Sequence, residues 1–130
     1  MIHSVEVPVA VAELIDKITI LEIKTERFRD ATKLANAKAE LTLLYDRRAA
    51  VLGADPALAT IEARLKAVNE QIWDLEDTIR ECERQQDFGP TFVKAARSIY
   101  RTNDERAALK REINMKTGSQ LIEEKSYAAY

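Results

Sequence analysis

The chain has 130 residues, of which 46% are apolar and 32% are charged, so its composition is neither that of a disordered protein nor that of a membrane protein. A net charge of −2 gives no electrostatic advantage for nucleic-acid binding, and a single cysteine excludes a disulfide framework. We therefore expect a single cytoplasmic domain over residues 1–130, with neither nucleic acid nor a membrane among its partners.

The N-terminal segment alternates apolar and other residues, with Val5, Val7 and Val9 at every second position. This alternation predicts a short extended arm, which Pro8 restricts to the edge of a sheet or to no sheet at all. Because a lone strand has no partner within the chain, the arm either docks on the helices or pairs with its copy in a dimer.

Two helices are predicted next, from about Val11 to Phe28 and from about Thr32 to Leu52. The first is apolar on two sides, which is typical of a central helix. Gly53 can end the second helix, and Asp55 and Pro56 form the N-cap and first position of a third. The tight connection predicts an antiparallel, coiled-coil-like hairpin of helices 2 and 3.

Helix 3 carries apolar residues at alternating steps of three and four, the spacing of an a/d seam sustained over more than three heptads. Such a seam requires a partner helix along its whole length. Its members are Leu58, Ile61, Leu65, Val68, Ile72, Leu75, Ile79 and Cys82.

The remaining chain is predicted to form two further helices. Residues 87–90 read Asp-Phe-Gly-Pro and break helix 3 near Gln86, and helix 4 covers about Thr91 to Arg101. The capping-box pattern at 102–105 then starts helix 5 or a sharp kink, and helix 5 reaches about Thr117. The predicted fold class is an all-α antiparallel helical bundle with a short extended N-terminal arm.

Several classes of chemistry have no support in the residue types. His3 is the single histidine, which makes histidine-based catalysis improbable, and one histidine with one cysteine cannot build a zinc site. Three scattered glycines form neither a P-loop nor a dinucleotide-binding fingerprint. We expect no cofactor, and the residues leave open whether the protein is an enzyme.

Charged residues supply the candidates for function. Glu22 falls inside the apolar arc of helix 1, where a carboxylate must pair, bind a metal or take up a proton. A salt bridge to a basic residue of another helix is the structural explanation. Helix 3 also carries an acidic stripe that either chelates Mg²⁺ or forms a solvated face. Its members are Glu70, Asp74, Asp77 and Glu81.

The basic residues of segment 91–118 complement the acidic helix 3. Opposite charge favours packing of the last helices against helix 3. Alternatively, Arg106, Lys110 and Arg111 hold the phosphate, sulfate or carboxylate of a ligand.

Several segments resemble an uncharacterised bacterial family of small all-helical proteins, a domain of unknown function. They are Pro8-Val9 with Glu-Leu-Ile-Asp-Lys-Ile-Thr-Ile-Leu-Glu-Ile-Lys at 13–24, Asn69 to Arg80 with Trp-Asp-Leu-Glu-Asp at 73–77, and residues 96–100, 103–104, 106–114, 118–119 and 124–127. Relatives are associated with glycosyltransferase and surface-polysaccharide genes, so the resemblance implies a role in bacterial surface-glycan biosynthesis. Relatives are expected to carry a serine near Ala10 and a glycine near Ala12, so the N-cap hydroxyl of helix 1 is missing here.

The resemblance falls on charged and amide residues, which implies a polar site between helices 1, 3 and 5. Glu22 is expected to be its internal carboxylate, and Arg106 or Lys110 its cation. The candidate ligand-binding residues are Glu13, Asp16, Lys17, Glu22, Trp73, Glu76, Asp77, Arg80, Asn103, Arg106 and Lys110.

The favoured interpretation is a non-enzymatic helical binding or assembly module, a homodimer that binds a protein partner or a small anionic ligand. The alternative is a divalent-metal-dependent hydrolase of the all-α nucleotide pyrophosphatase type, with Mg²⁺ held by helix-borne carboxylates. Those carboxylates would be Glu13, Asp16, Glu22, Glu76 and Asp77. A helical dimer like chorismate mutase is a more distant third possibility.

Overall fold

A computed structural model describes residues 3–130 and confirms an all-helical chain. It contains α1 (Val11–Arg27), α2 (Ala31–Val51), α3 (Pro56–Gln85) and α4 (Pro90–Thr117), and no strand lies within the described residues. None of the four helices combines the length and the apolar character that crossing a lipid bilayer requires.

Helix α1 lies at the centre and contacts the other three helices. Its two apolar sides explain this position. Ala12 and Ile15 pack with buried side chains of α3 and α4, whereas Ile18 and Leu21 pack against α2. A helix that buries two sides exposes little surface to solvent. The sequence predicted such a central position for this segment.

The seam of α3 packs on α4 and α1, and the predicted hairpin of α2 with α3 was wrong. The backbones of α2 and α3 make no packing contact within the described residues, whereas α3 and α4 have the most extensive contact of any helix pair. Gln86 adopts a left-handed conformation (φ 55°) that ends α3 and lets the chain return as α4. The lengths explain the choice, because α4 has 28 residues against 30 in α3, while α2 has 21.

The predicted break between helices 4 and 5 is absent, and α4 is continuous through residues 102–105. Thr102 is buried, and its hydroxyl donates a hydrogen bond to the carbonyl of Ser98 at 2.7 Å. That i−4 bond satisfies the hydroxyl inside a helix, so it does not cap a new one. The segment that was predicted as helix 5 is therefore the C-terminal half of α4.

The N-terminus of α1 is capped by the opposite end of the chain. Ala10 offers no side-chain cap, but the amide of Ala12 donates to Oδ1 of Asn114 at 2.8 Å. The amide of Val11 donates to Oγ of Ser119 at 3.1 Å. Asn114 lies in the last turn of α4 and Ser119 just beyond it, so a tertiary contact replaces the hydroxyl that the sequence lacks at position 10.

Burial along the seam is uneven. The four seam residues from Leu58 to Val68 are buried, whereas the next three, Ile72 to Ile79, are half-buried. Helix α1 ends at Arg27, which contacts Asp74 of α3 at 2.5 Å. Beyond that point α3 and α4 continue as a pair without a third helix, so the distal half of their hairpin is less covered.

Candidate functional site

A buried carboxylate, Asp16, joins three helices. Asp16 is 1% exposed. Its Oδ1 accepts hydrogen bonds from Nδ2 of Asn69 in α3 at 2.9 Å and from Nε of Arg106 in α4 at 3.1 Å. A second guanidinium nitrogen of Arg106 donates to Oδ2, which makes the pair bidentate. Such fork-like pairing fixes both side chains in one geometry.

Lys110 extends this pair toward the C-terminal tail, which comprises residues 119–130. Although Lys110 is only 9% exposed, its ammonium lies 2.8 Å from Glu13, 3.2 Å from Glu123 and 3.8 Å from Asp16. Glu123 also contacts Lys125 of the tail at 2.9 Å. Three cations and three carboxylates thus form one charge network. Its members are Glu13, Asp16, Arg106, Lys110, Glu123 and Lys125.

The contacts within the charge network shift pKa values toward the charged forms. The hydrogen bond to Asp16 raises the pKa of Arg106. Hydrogen bonds from Lys125 and Lys110 lower the pKa of Glu123 to about 2, and the same contact with Glu123 raises the pKa of Lys125. Arg106 and Lys125 therefore stay positively charged at and above neutral pH, and Glu123 stays negatively charged at and below it.

A cleft of about 920 Å³ lies beside the charge network, between α4 and the C-terminal tail. Three of its lining residues are tyrosines. Two of them, Tyr100 and Tyr130, meet edge to face with ring centroids 5.1 Å apart, and the hydroxyl of Tyr130 donates to Asp104 at 2.5 Å. We call this space the tail cleft, and it is lined by Tyr100, Asn103, Arg106, Lys110, Lys125 and Tyr127, among others.

Some of the candidate residues converge on this place. Glu13, Asp16, Arg106 and Lys110 are linked by ion pairs, and Asn103 lies in the wall of the tail cleft. Of the three cations that the sequence singled out for an anionic ligand, Arg106 and Lys110 line the cleft together with Lys125, whereas Arg111 is not among its lining residues.

Glu22 does not lie in the charge network, and its expected role as internal carboxylate was wrong. It is half-buried under α2 and accepts a hydrogen bond from the hydroxyl of Tyr45 at 2.7 Å. Burial and this hydrogen bond raise the pKa of Tyr45 to about 12. The helical wheel placed Glu22 correctly beside apolar residues, but that side of α1 packs against α2, away from Arg106 and Lys110.

The other candidates also lie elsewhere. Lys17 pairs with Glu40 at 3.7 Å on the surface. The ring of Trp73 packs against Phe28, with centroids 6.1 Å apart. Two remaining members of the set, Glu76 and Arg80, pair with each other along α3, and Asp77 is exposed. Charged side chains on this part of α3 pair within α3, as Glu76 does with Arg80, or with Arg27 at the end of α1, as Asp74 does.

Residues that complete the site were not among the candidates. Asn69 directly follows Val68 of the seam, and the tail residues Glu123, Lys125 and Tyr127 lie in or beside a segment that carries the family resemblance. These positions in the sequence were the features that could have pointed to the four residues. Their role was hidden because an irregular tail has no periodicity that predicts where it folds back.

Several carboxylates considered for a metal site are paired with basic side chains. Within residues 3–130, no group of three histidine, cysteine or acidic side chains is placed to hold a metal ion. In the acidic stripe of α3, Asp74 pairs with Arg27 and Glu81 with Arg84, each at 2.5 Å. Glu13 and Asp16 are paired with cations of α4.

Comparison with known proteins finds a protein family that matches the chain. No curated protein and no solved structure is significantly similar to the chain. A family model does match, and it covers residues 5–130, nearly the whole chain and all of the charge network. The chain therefore belongs to the family described as a family of unknown function (DUF6165).

Proposed function

We propose that the protein is a non-enzymatic binding module that holds a small anionic ligand in the tail cleft. The observation that carries this proposal is the placement of Arg106 and Lys110. Both are fixed by carboxylates of α1, and both line an open cleft with tyrosines in its wall.

The geometry supports binding because the cations are held in place before a ligand arrives. Two hydrogen bonds to a buried carboxylate set the guanidinium plane of Arg106, so little side-chain freedom is lost on binding. The cleft volume of about 920 Å³ lies within the range of small-molecule pockets. Aromatic rings with a few convergent polar groups are the usual lining of such pockets.

The resemblance-based link to surface-glycan biosynthesis makes acidic sugars one ligand class to test. We include glucuronate as a probe for this reason, and the tyrosine rings offer apolar faces to a sugar ring or an aromatic ring. The alternative of a metal-dependent hydrolase gains no support, because its carboxylates are paired or dispersed.

Lys110→Met is expected to weaken binding of glucuronate or benzoate by about tenfold or more, because it removes a charge-assisted hydrogen bond. The measurement is an NMR titration of the full chain, with amide shifts expected in segments 103–110 and 125–130. Lys94→Met is the matched control, since Lys94 is exposed on the same helix and has no ion pair within residues 3–130. Equal affinities of the two variants would contradict the proposal.

We also propose that the chain assembles with a second copy of itself. The distal half of the α3–α4 hairpin favours this, because Leu75 and Ile79 stay half-buried and the valines of the N-terminal arm are exposed. A seam at heptad spacing is completed when a second hairpin covers it. Sedimentation equilibrium is expected to give twice the chain mass, and a monomer at micromolar concentration would contradict this assembly.

A further inference from the structure

One carboxylate of the charge network differs from the other two. Glu13 and Asp16 belong to α1, in the core of the helical fold, whereas Glu123 belongs to the C-terminal tail. The tail has no helix or strand, and residues 120–130 are all exposed. Glu123 can therefore leave the network by local rearrangement of the tail, without disturbing a helix.

Glu123 bridges two cations with two different oxygens. Its Oε2 lies 3.2 Å from the ammonium of Lys110, and its Oε1 lies 2.9 Å from that of Lys125. Both lysines also line the tail cleft. Glu123 itself lies outside the lining of the tail cleft and lines a neighbouring cavity of about 220 Å³ with the same two lysines. A carboxylate therefore already engages the ammonium groups that border the cleft.

The charge balance of the network sets the charge of the group that can replace Glu123. With Glu123 in place, three cations face three carboxylates, and its departure leaves one positive charge uncompensated. One negative charge restores the balance. A doubly charged group would add repulsion from Glu13 and Asp16 behind Lys110, and from Asp104 in the cleft wall.

On this basis, and resting on the proposed function, we propose that Glu123 stands in for the anionic group of the ligand. The tail cleft takes a ligand with a single carboxylate, which displaces Glu123 from Lys110 and Lys125. The tail is then a built-in competitor, and the apparent affinity of the cleft depends on the fraction of molecules in which Glu123 has left.

The tail is fastened on both sides of Glu123, which confines the movement to a short segment. At its start, Oγ of Ser119 accepts from the amide of Val11 and donates to the carbonyl of Leu121 at 2.7 Å. At its end, Tyr130 contacts Tyr100 and Asp104. Displacement of Glu123 thus frees the ammonium groups of Lys110 and Lys125 without releasing the whole tail.

The experiment compares Glu123→Gln with the wild-type chain, and Glu124→Gln is the matched control. Glu124 is the next residue of the tail, and it pairs with Arg111 on the surface at 3.0 Å. The probes are benzoate, benzamide as its neutral counterpart, and phthalate as a dianion, each titrated by NMR at pH 8. Thermal unfolding of each variant confirms that the fold is kept.

Glu123→Gln is expected to bind benzoate about tenfold more tightly than the wild type, because the competing charge is gone. Glu124→Gln is expected to match the wild type, and benzamide to bind more weakly than benzoate in all three proteins. Equal or weaker benzoate binding by Glu123→Gln, or tighter binding of phthalate than benzoate, overturns this inference and leaves the proposed function intact. If no probe binds any of the three proteins, the proposed function itself fails.

Discussion

Replacement of Arg106 by methionine is expected to lower the free energy of unfolding by about 3 kcal/mol. The substitution removes both hydrogen bonds that the guanidinium donates to Asp16, which is 1% exposed. A buried carboxylate without its partner carries a large desolvation cost. Lys110 at 3.8 Å and Asn69 at 2.9 Å still face Asp16, so the loss falls at the lower end of the range for a broken buried pair.

Urea unfolding followed by circular dichroism measures this loss, and Arg111→Met is the matched control. Arg111 is exposed and pairs with exposed Glu124, so its removal is expected to cost less than about 0.5 kcal/mol. Adding Asp16→Asn to Arg106→Met is expected to restore part of the stability, because the stranded charge disappears while the amide oxygen still accepts from Asn69. No recovery would show that the stranded charge is not the cause.

Leu65→Ala is expected to lower the free energy of unfolding by about 3 kcal/mol, and Leu75→Ala by about 1 kcal/mol at a protein concentration low enough to keep the chain monomeric. The two residues have the same type and lie on the same seam of α3. Leu65 is fully buried in the cluster that α1, α3 and α4 share, whereas Leu75 lies beyond the end of α1 and is half-buried. The cost of a cavity grows with the volume that surrounding atoms leave empty, and it is smaller where solvent can enter.

The same pair of variants examines the proposed assembly. In a monomer, the loss for Leu75→Ala is small and independent of protein concentration. If a second copy covers the distal hairpin, that loss rises toward the value for Leu65→Ala and depends on concentration. Equal losses at every concentration would contradict both the uneven burial and the coupling to assembly.

Local sequence patterns predicted the helical segments well, because capping and periodicity act over a few residues. Asp55 and Pro56 start α3 as expected, with the carboxylate of Asp55 accepting from the amide of Ala57 at 3.0 Å. The two apolar sides of α1 predicted its central position. The same local reasoning failed at residues 102–105, where burial of Thr102 and its bond within the helix outweighed a capping pattern.

Pairing between segments could not be read from the chain. The seam of α3 required a long partner, but its spacing is equally compatible with α2 and α4, and the choice depends on which lengths and apolar faces match in three dimensions. The ion pairs of the site could not be predicted from the sequence for the same reason. Arg106 and Lys110 stood out as cations, yet whether Asp16 or Glu22 faced them depended on which side of α1 met α4.

Composition and periodicity were enough to predict an all-helical chain and most of its helix starts, because these features depend on neighbours in sequence. Arg106 and Lys110 were singled out by local charge and by the family resemblance. Tertiary packing decided which helix fills the seam, which carboxylate is buried, and that Ser119 and Asn114 cap α1. It also brought Glu123 of the irregular tail onto Lys110. Each of these contacts joins residues far apart in the chain, and its free energy comes from burial and pairing that no local pattern encodes.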